Sequence, residues 1–188
     1  MGREAFEHLL GFHAAPTFAG LKAGSLLSFR KSKFEDFDGL LASYAQCFRC
    51  KGLSVFRLAE GEEYVLLLFY RKRELEAALE KKAARRLLAR CGYRSGETLE
   101  AKLEYLRIRM SVRKSFPHEV GLFLDYPPED VAGFIEHKGQ DFACSGYWKV
   151  YANEAEAKEL FARYARCSEE FCSKLDAGMA FSELLEAV

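Results

Sequence analysis

The chain has 188 residues, of which 49% are hydrophobic and 14% aromatic, enough for the packed core of one domain and too apolar for a disordered segment. Its 28 basic and 28 acidic residues cancel to a net charge of zero, which gives no global attraction to nucleic acid or to an anionic membrane and leaves self-association compatible with the composition. No apolar run reaches the roughly 18 residues of a membrane span, MGREAFEHLLGFH lacks the apolar segment of a secretory signal, and six cysteines in such a chain read as reduced thiols in a cytoplasm.

In chain order, Phe6, Leu9, Leu10 and His13 recur at helical spacing and predict a helix over 3–13, broken by Pro16, Gly20 and Gly24 in AAPTFAGLKAGS. SLLSF (25–29) reads as a short strand. Phe34, Phe37, Leu40, Leu41 and Tyr44 make one stripe of a helix over 34–48, stopped by Gly52. LSVFRL (53–58) and YVLLLFY (64–70) are β-rich runs expected to pair as a hairpin through residues 59–63. The second is apolar on both faces, which puts it inside a sheet. RKRELEAALEKKAARRLLARCGY carries Leu75, Ala78, Leu79, Ala83 and Leu87 on one stripe, with acids leading and bases trailing, and Gly92 closes it. SGETLEAKLEYLRIRM forms the next helix, with Ser95 as its cap and Leu99, Leu103, Leu106 and Met110 inward. YWKVYA (147–152) reads as a further strand of the same sheet, with Tyr147, Lys149 and Tyr151 on one face. Asn153 is expected to cap a long C-terminal helix with Leu160, Phe161, Tyr164, Cys167, Phe171 and Leu175 as its stripe, and Gly178 sets off a short final helix. The expected fold class is α+β: a small mixed sheet of about four strands with several packed helices, helix-rich in its C-terminal part, in a single domain over 1–188 with a helical lobe at about 95–140.

APTFAGLKAGSLLSF (15–29), SFPHEVGLFLDYPPEDVAGFIEHKG (115–139) and CSGYWKVYANEAEAKELFARYARCSE (144–169) resemble a family of uncharacterised proteins from anaerobic bacteria and archaea, catalogued as a domain of unknown function. The resemblance spans nearly the whole chain and implies no particular activity, cofactor or site residue. The chain departs from that pattern at Asp125, where the family has Gly, and at Ala14 or Ala15, where it has Cys.

Physically, most of the middle block is accounted for by helix ends and apolar faces. Ser115 and Asp125 read as caps, and Pro117, Pro127 and Pro128 as first-turn residues. Val131, Phe134 and Ile135 read as an inward face, and Gly133 as a point where another backbone approaches. A helix start needs no imidazole, so His118 is left over. It is either hydrogen-bonded in a half-buried niche, or it is a general base or ligand with Glu119 or Glu136 fixing its tautomer. HEVGL lacks the second His of a zinc-protease helix.

Lys149 between Tyr147 and Tyr151 can hold an anion or stack with the rings on a flat ligand; the plainer reading is a Lys stem covering a sheet face. Thr17–Lys22 is a Gly-containing turn that reads as a plain loop or as an anion cradle of backbone N–H groups, and it has no Walker spacing. CFRC, with Cys47 and Cys50, closes a helix rather than opening one, the end that disfavours a thiolate, so inert thiols and no metal are expected. The basic clusters read as solvated helix ends, and PPEDVAGFIEH, acidic at its start, would meet phosphates badly, so no nucleic-acid partner is expected. The leading expectation is a cytosolic small-molecule or cofactor-binding protein, with catalysis left open. Its pocket would unite Thr17 and Lys22, the catalytic candidates His118 and Glu119, and Tyr147, Lys149 and Tyr151. The alternatives are a non-enzymatic interaction module that self-associates into a homo-oligomer through a flat aromatic face, and a thiol or metal protein. The sequence names neither a substrate nor a cofactor.

Overall fold

The first helix, α1 (Arg3–Phe18), runs through Pro16 rather than stopping near His13. A proline in the last turn forfeits one hydrogen bond, to the Phe12 carbonyl, and burial of Ala14, Ala15, Thr17 and Phe18 holds that turn in the helix. The computed structural model describes residues 2–112 and 116–185, so the cap expected at Ser115 lies outside the described residues. After α1 the chain turns through Gly20 and enters β1 (Gly24–Arg30). A short 3-10 turn, Lys31–Lys33, leads to α2 (Phe37–Cys50), which Asp36 caps by accepting from the Gly39 N–H at 2.8 Å.

Strands β2 (Leu53–Glu60) and β3 (Tyr64–Arg71) form the expected antiparallel hairpin. With β1 they make a three-stranded antiparallel sheet in the order β1-β3-β2, so the doubly apolar run is the central strand. Its alternation divides the interior in two. Val65, Leu67 and Phe69 enter one core with Phe6, Phe18, Phe29 and Phe48, while Leu68 and Tyr70 enter another with Leu75, Leu79, Leu103 and Phe123.

The long helix expected after β3 is broken at Lys81, whose backbone is extended (φ −53°, ψ 135°), into α3 (Lys72–Glu80) and α4 (Lys82–Arg90). Helix α5 (Leu99–Val112) begins later than Ser95 implied; the Thr98 hydroxyl accepts from the Ala101 N–H at 3.2 Å. Two short helices follow, α6 (Val120–Phe123) and α7 (Pro128–Glu136). Asp125 does not cap α7; that place belongs to Pro127. Asp125 adopts the left-handed conformation (φ 59°), which favours glycine, and its carboxylate accepts from the Ala23 N–H at 3.2 Å.

The YWKVYA segment is not a strand of the main sheet. Only Lys149–Val150 (β5) is extended, and it pairs with Cys144–Ser145 (β4) in a separate two-stranded ribbon. The reason lies in Asp130 on α7. Its buried carboxylate accepts from Trp148 Nε1 (2.7 Å) and from the Tyr151 and Ala152 N–H groups (2.7 and 3.0 Å), taking the backbone donors that a ladder would need. Gly133 admits the Tyr151 ring rather than a backbone: a Cβ there would lie 2.5 Å from Tyr151 Cγ. Helix α8 (Glu154–Asp176) packs along α1, and α9 (Phe181–Leu184) closes the first core. Asn153 precedes α8 at φ 50° without a side-chain capping bond, contrary to expectation. The fold is α+β, helix-rich towards the C-terminus. Among the described residues no helix is long and apolar enough to cross a membrane.

Candidate functional site

Four parts of the chain meet around Tyr126: the turn after α1, the α6–α7 connection that carries Tyr126 itself, the β4–β5 hairpin, and α8. The Tyr126 ring stacks on Trp148 at 4.9 Å, and its hydroxyl donates to the Tyr147 carbonyl at 3.1 Å. Burial pushes that hydroxyl up to about 12. Two hollows share the wall made by Leu26, Leu124, Tyr126 and Tyr147. The larger, about 990 Å³, is bordered by His13, Lys22, Ser25, Phe161 and Ser168. The smaller, about 410 Å³, is bordered by Phe116, His118, Phe134, Trp148 and Lys149.

Lys22 is held firmly. Its N–H donates to the Pro16 carbonyl (3.2 Å), the neighbouring Leu21 carbonyl accepts from the Tyr164 hydroxyl (3.3 Å), and Ala23 is tied to Asp125. The side chain is buried and its ammonium stands over the Tyr126 ring at 5.2 Å. Burial lowers its pKa to about 8, with the Asp125 carboxylate pulling the other way. Asp125 is not its ion-pair partner: that carboxylate accepts from Ala23 and faces Lys81 Nζ at 3.8 Å. Thr17 is fully buried and borders neither hollow; its hydroxyl shares a 2.8 Å hydrogen bond with the Ser25 hydroxyl and so orients a residue that does. Ser168 Oγ is buried and has no hydrogen-bond partner among the described residues; it lies beside the Tyr147 phenol without reaching hydrogen-bond geometry.

His118 is exposed, its ring 4.8 Å from that of Phe134. Lys149 Nζ, in the same hollow, donates to the Gly139 carbonyl at 2.6 Å and stands over the Phe142 ring at 4.5 Å. Tyr147 is on the shared wall, in the hairpin turn. Tyr151 borders neither hollow; it stacks on His137 at 5.5 Å. Glu119 does not orient His118. Its carboxylate is buried on the opposite side, ion-paired to Arg109 and approached by the Tyr93 hydroxyl at 3.4 Å. Arg109 also donates to the Cys91 carbonyl at 2.9 Å, so this cluster fastens α5 to the start of α6. The structure thus places Lys22 at the larger hollow, Lys149 and His118 at the smaller and Tyr147 at both, with Thr17 behind Ser25, and leaves Glu119 and Tyr151 outside.

Sequence reasoning did not find Tyr126, Ser168 or Asp130. Tyr126 preceded two prolines that already explained the turn, Ser168 fell outside the apolar stripe of its helix, beside Cys167, and Asp130 read as an ordinary first-turn acid. Cys47 and Cys50 do lie in the last turn of α2, and no group of three or more His, Cys, Asp or Glu side chains is placed to hold a metal among the described residues. A further depression of about 560 Å³ lies between α4 and residues 93–96, but its buried Lys102 is paired with Glu80 at 2.8 Å and its arginines are exposed.

The family model described as "Protein of unknown function (DUF3793)" matches residues 10–185. The chain belongs to this family. The span that defines it as DUF3793 includes every residue bordering both hollows around Tyr126. No curated protein and no solved structure matches the chain.

Proposed function

We propose that this DUF3793 protein binds a small organic molecule in the hollows around Tyr126. The observation that carries this reading is the convergence, on one aromatic side chain, of segments more than a hundred residues apart, with a buried Ser168 hydroxyl that has no hydrogen-bond partner among the described residues and a buried Lys22 side chain whose ammonium stands over the Tyr126 ring without an ion pair among them. Burying a charge or a hydroxyl without a partner opposes folding. Such groups in a concave, largely apolar site mark a place where a ligand supplies the missing partner.

His118 borders the smaller hollow as an exposed imidazole, able to hydrogen-bond a bound molecule. An interaction module would present a flat aromatic face. Here exposed Phe12 and Tyr147 border a concavity, which supports a small ligand over a protein surface. The six cysteines stand as thiols rather than disulfides, which suits a reducing cytoplasm.

Trp148, the single tryptophan, stacks on Tyr126 and reports on the site by its fluorescence. Native mass spectrometry of protein purified without oxygen should show a retained small molecule that leaves on denaturation and is absent from Tyr126→Ala. Protein that carries no retained mass, and whose Trp148 emission no small-molecule screen shifts, would sink the reading.

A further inference from the structure

We infer that the larger hollow takes a flat organic monoanion, a carboxylate on an aromatic or similarly planar body, with the Lys22 ammonium as its counter-ion. This rests on the reading of the Tyr126 hollows as a small-molecule site and names the ligand class of the larger one. The charge count comes first. Lys22 is the single cation of lysine or arginine type among the residues that border this hollow, and it is buried. It makes no ion pair among the described residues; its contacts there are the Tyr126 ring and the field of Asp125. A buried ammonium in this position gains most from one anionic oxygen placed against it.

The hollow is poorly suited to a phosphate. No arginine fork borders it, and Asp125 lies near Lys22. Glu169 and Asp176 border the hollow, and with Asp125 they repel a dianion more strongly than a monoanion, whose one charge the Lys22 ammonium offsets. A carboxylate has two oxygens to satisfy. Beyond the ammonium, the Ser168 hydroxyl is unpartnered, and the Ser25 hydroxyl, sharing one bond with Thr17, keeps further capacity.

The walls choose the rest of the molecule. Leu26, Leu124, Tyr147 and Phe161 are apolar or aromatic, and Phe12 stands exposed at 64% on the same border. The Tyr147 and Phe161 rings are 5.7 Å apart and tilted by 39°, a surface for a flat apolar body. A hollow of about 990 Å³ is far larger than a bare carboxylate needs. Gly146 completes the wall: a Cβ there would fall 2.4 Å from the Phe161 ring, so the hairpin lies directly on that ring.

The test is isothermal titration calorimetry of the full chain with benzoate, phenylacetate and indole-3-acetate, each against its primary amide, and with inorganic phosphate. At least one acid should bind at millimolar concentration while its amide does not. Lys22→Met should weaken that binding by about 10- to 100-fold, Ser168→Ala should weaken it less, and Lys158→Met, on the exposed side of α8 and paired with Glu154, should leave it unchanged. Lys22→Gln is a second variant, with circular dichroism confirming the fold of both. Acid and amide binding alike, an unaffected Lys22→Met, phosphate binding more tightly than the acids, or no acid binding at all would each overturn the inference. If neutral compounds alone shift Trp148 fluorescence, the small-molecule site stands and the anion assignment falls. If nothing binds and no mass is retained, both fall.

Discussion

Lys22 ties the site to the pH dependence of stability. Its folded pKa, about 8, lies below the ordinary 10.5 because burial penalises the ammonium. Below both values each state holds the proton, and the folded state carries the cost of burying a charge. Between them the unfolded chain binds a proton that the folded chain has released, so stability rises with pH through that window, by up to about 3 kcal/mol. Lys22→Met should abolish the rise and be more stable than the parent near pH 7. Urea unfolding of both proteins at about pH 7 and about pH 10 measures it; a parent whose midpoint stays flat over this range contradicts the assignment. At His118 the expectation is different. The imidazole is exposed and packs on the Phe134 ring, so His118→Gln should change stability by less than about 0.5 kcal/mol. A larger loss would return His118 to a structural role. Glu119→Gln should cost roughly 2–4 kcal/mol, because Arg109 would be left buried without its counter-charge. The adjacent letters His-Glu suggested one functional pair; the backbone at the start of α6 sends them to opposite sides, a direction that adjacency in sequence does not specify.

Among the elements, the β4–β5 hairpin depends most on a single side chain. Asp130 accepts three hydrogen bonds from this hairpin and the residues after it. Asp130→Ala would strand a buried indole N–H and two backbone N–H groups, at a cost of about 2–4 kcal/mol. Trp148 emission should move to longer wavelength as the hairpin loosens from α7; emission that stays put, with stability unchanged, would show that other contacts hold the hairpin. The elements also mark where local reading succeeds. The β2–β3 hairpin and the central place of β3 were legible because both-face apolarity and a polar loop are local signals. YWKVYA was not, because its alternation is that of a strand while its hydrogen-bonding groups are claimed by a carboxylate some 20 residues earlier. The break at Lys81 was missed for a related reason: helix propensity runs on through it, and packing of Leu75, Leu79 and Leu87 into one core decides where the axis bends. The start of α5 was missed because Ser95 and Thr98 are both capping residue types, and the structure uses Thr98.

For the molecule as a whole, β3 is shared by both cores, and that should make them unfold together. Phe69 is fully buried against the Phe18, Phe29 and Phe48 rings on one face, and Leu68 is fully buried on the other. Phe69→Ala should cost about 3–5 kcal/mol and Leu68→Ala about 2–5 kcal/mol. In each variant Trp148 fluorescence and far-ultraviolet circular dichroism should follow one coincident transition; two separate midpoints would mean that the cores are independent. The sequence by itself determined the α+β class, the helical stripes and the central strand, because periodicity and composition act over a few residues and are written in the chain; membership of DUF3793 rests instead on the match of residues 10–185 to the family. The sequence also singled out Lys22, Tyr147, Lys149 and His118 as polar groups that local structure does not require. Only the tertiary structure decided that Lys22 lies over Tyr126 with Ser168 bordering the same hollow, and that Glu119 belongs to Arg109. Those pairings join positions up to about 150 residues apart, and which side chains meet at such separations is chosen by how α1, α8 and the two faces of β3 pack, a choice that no local pattern encodes.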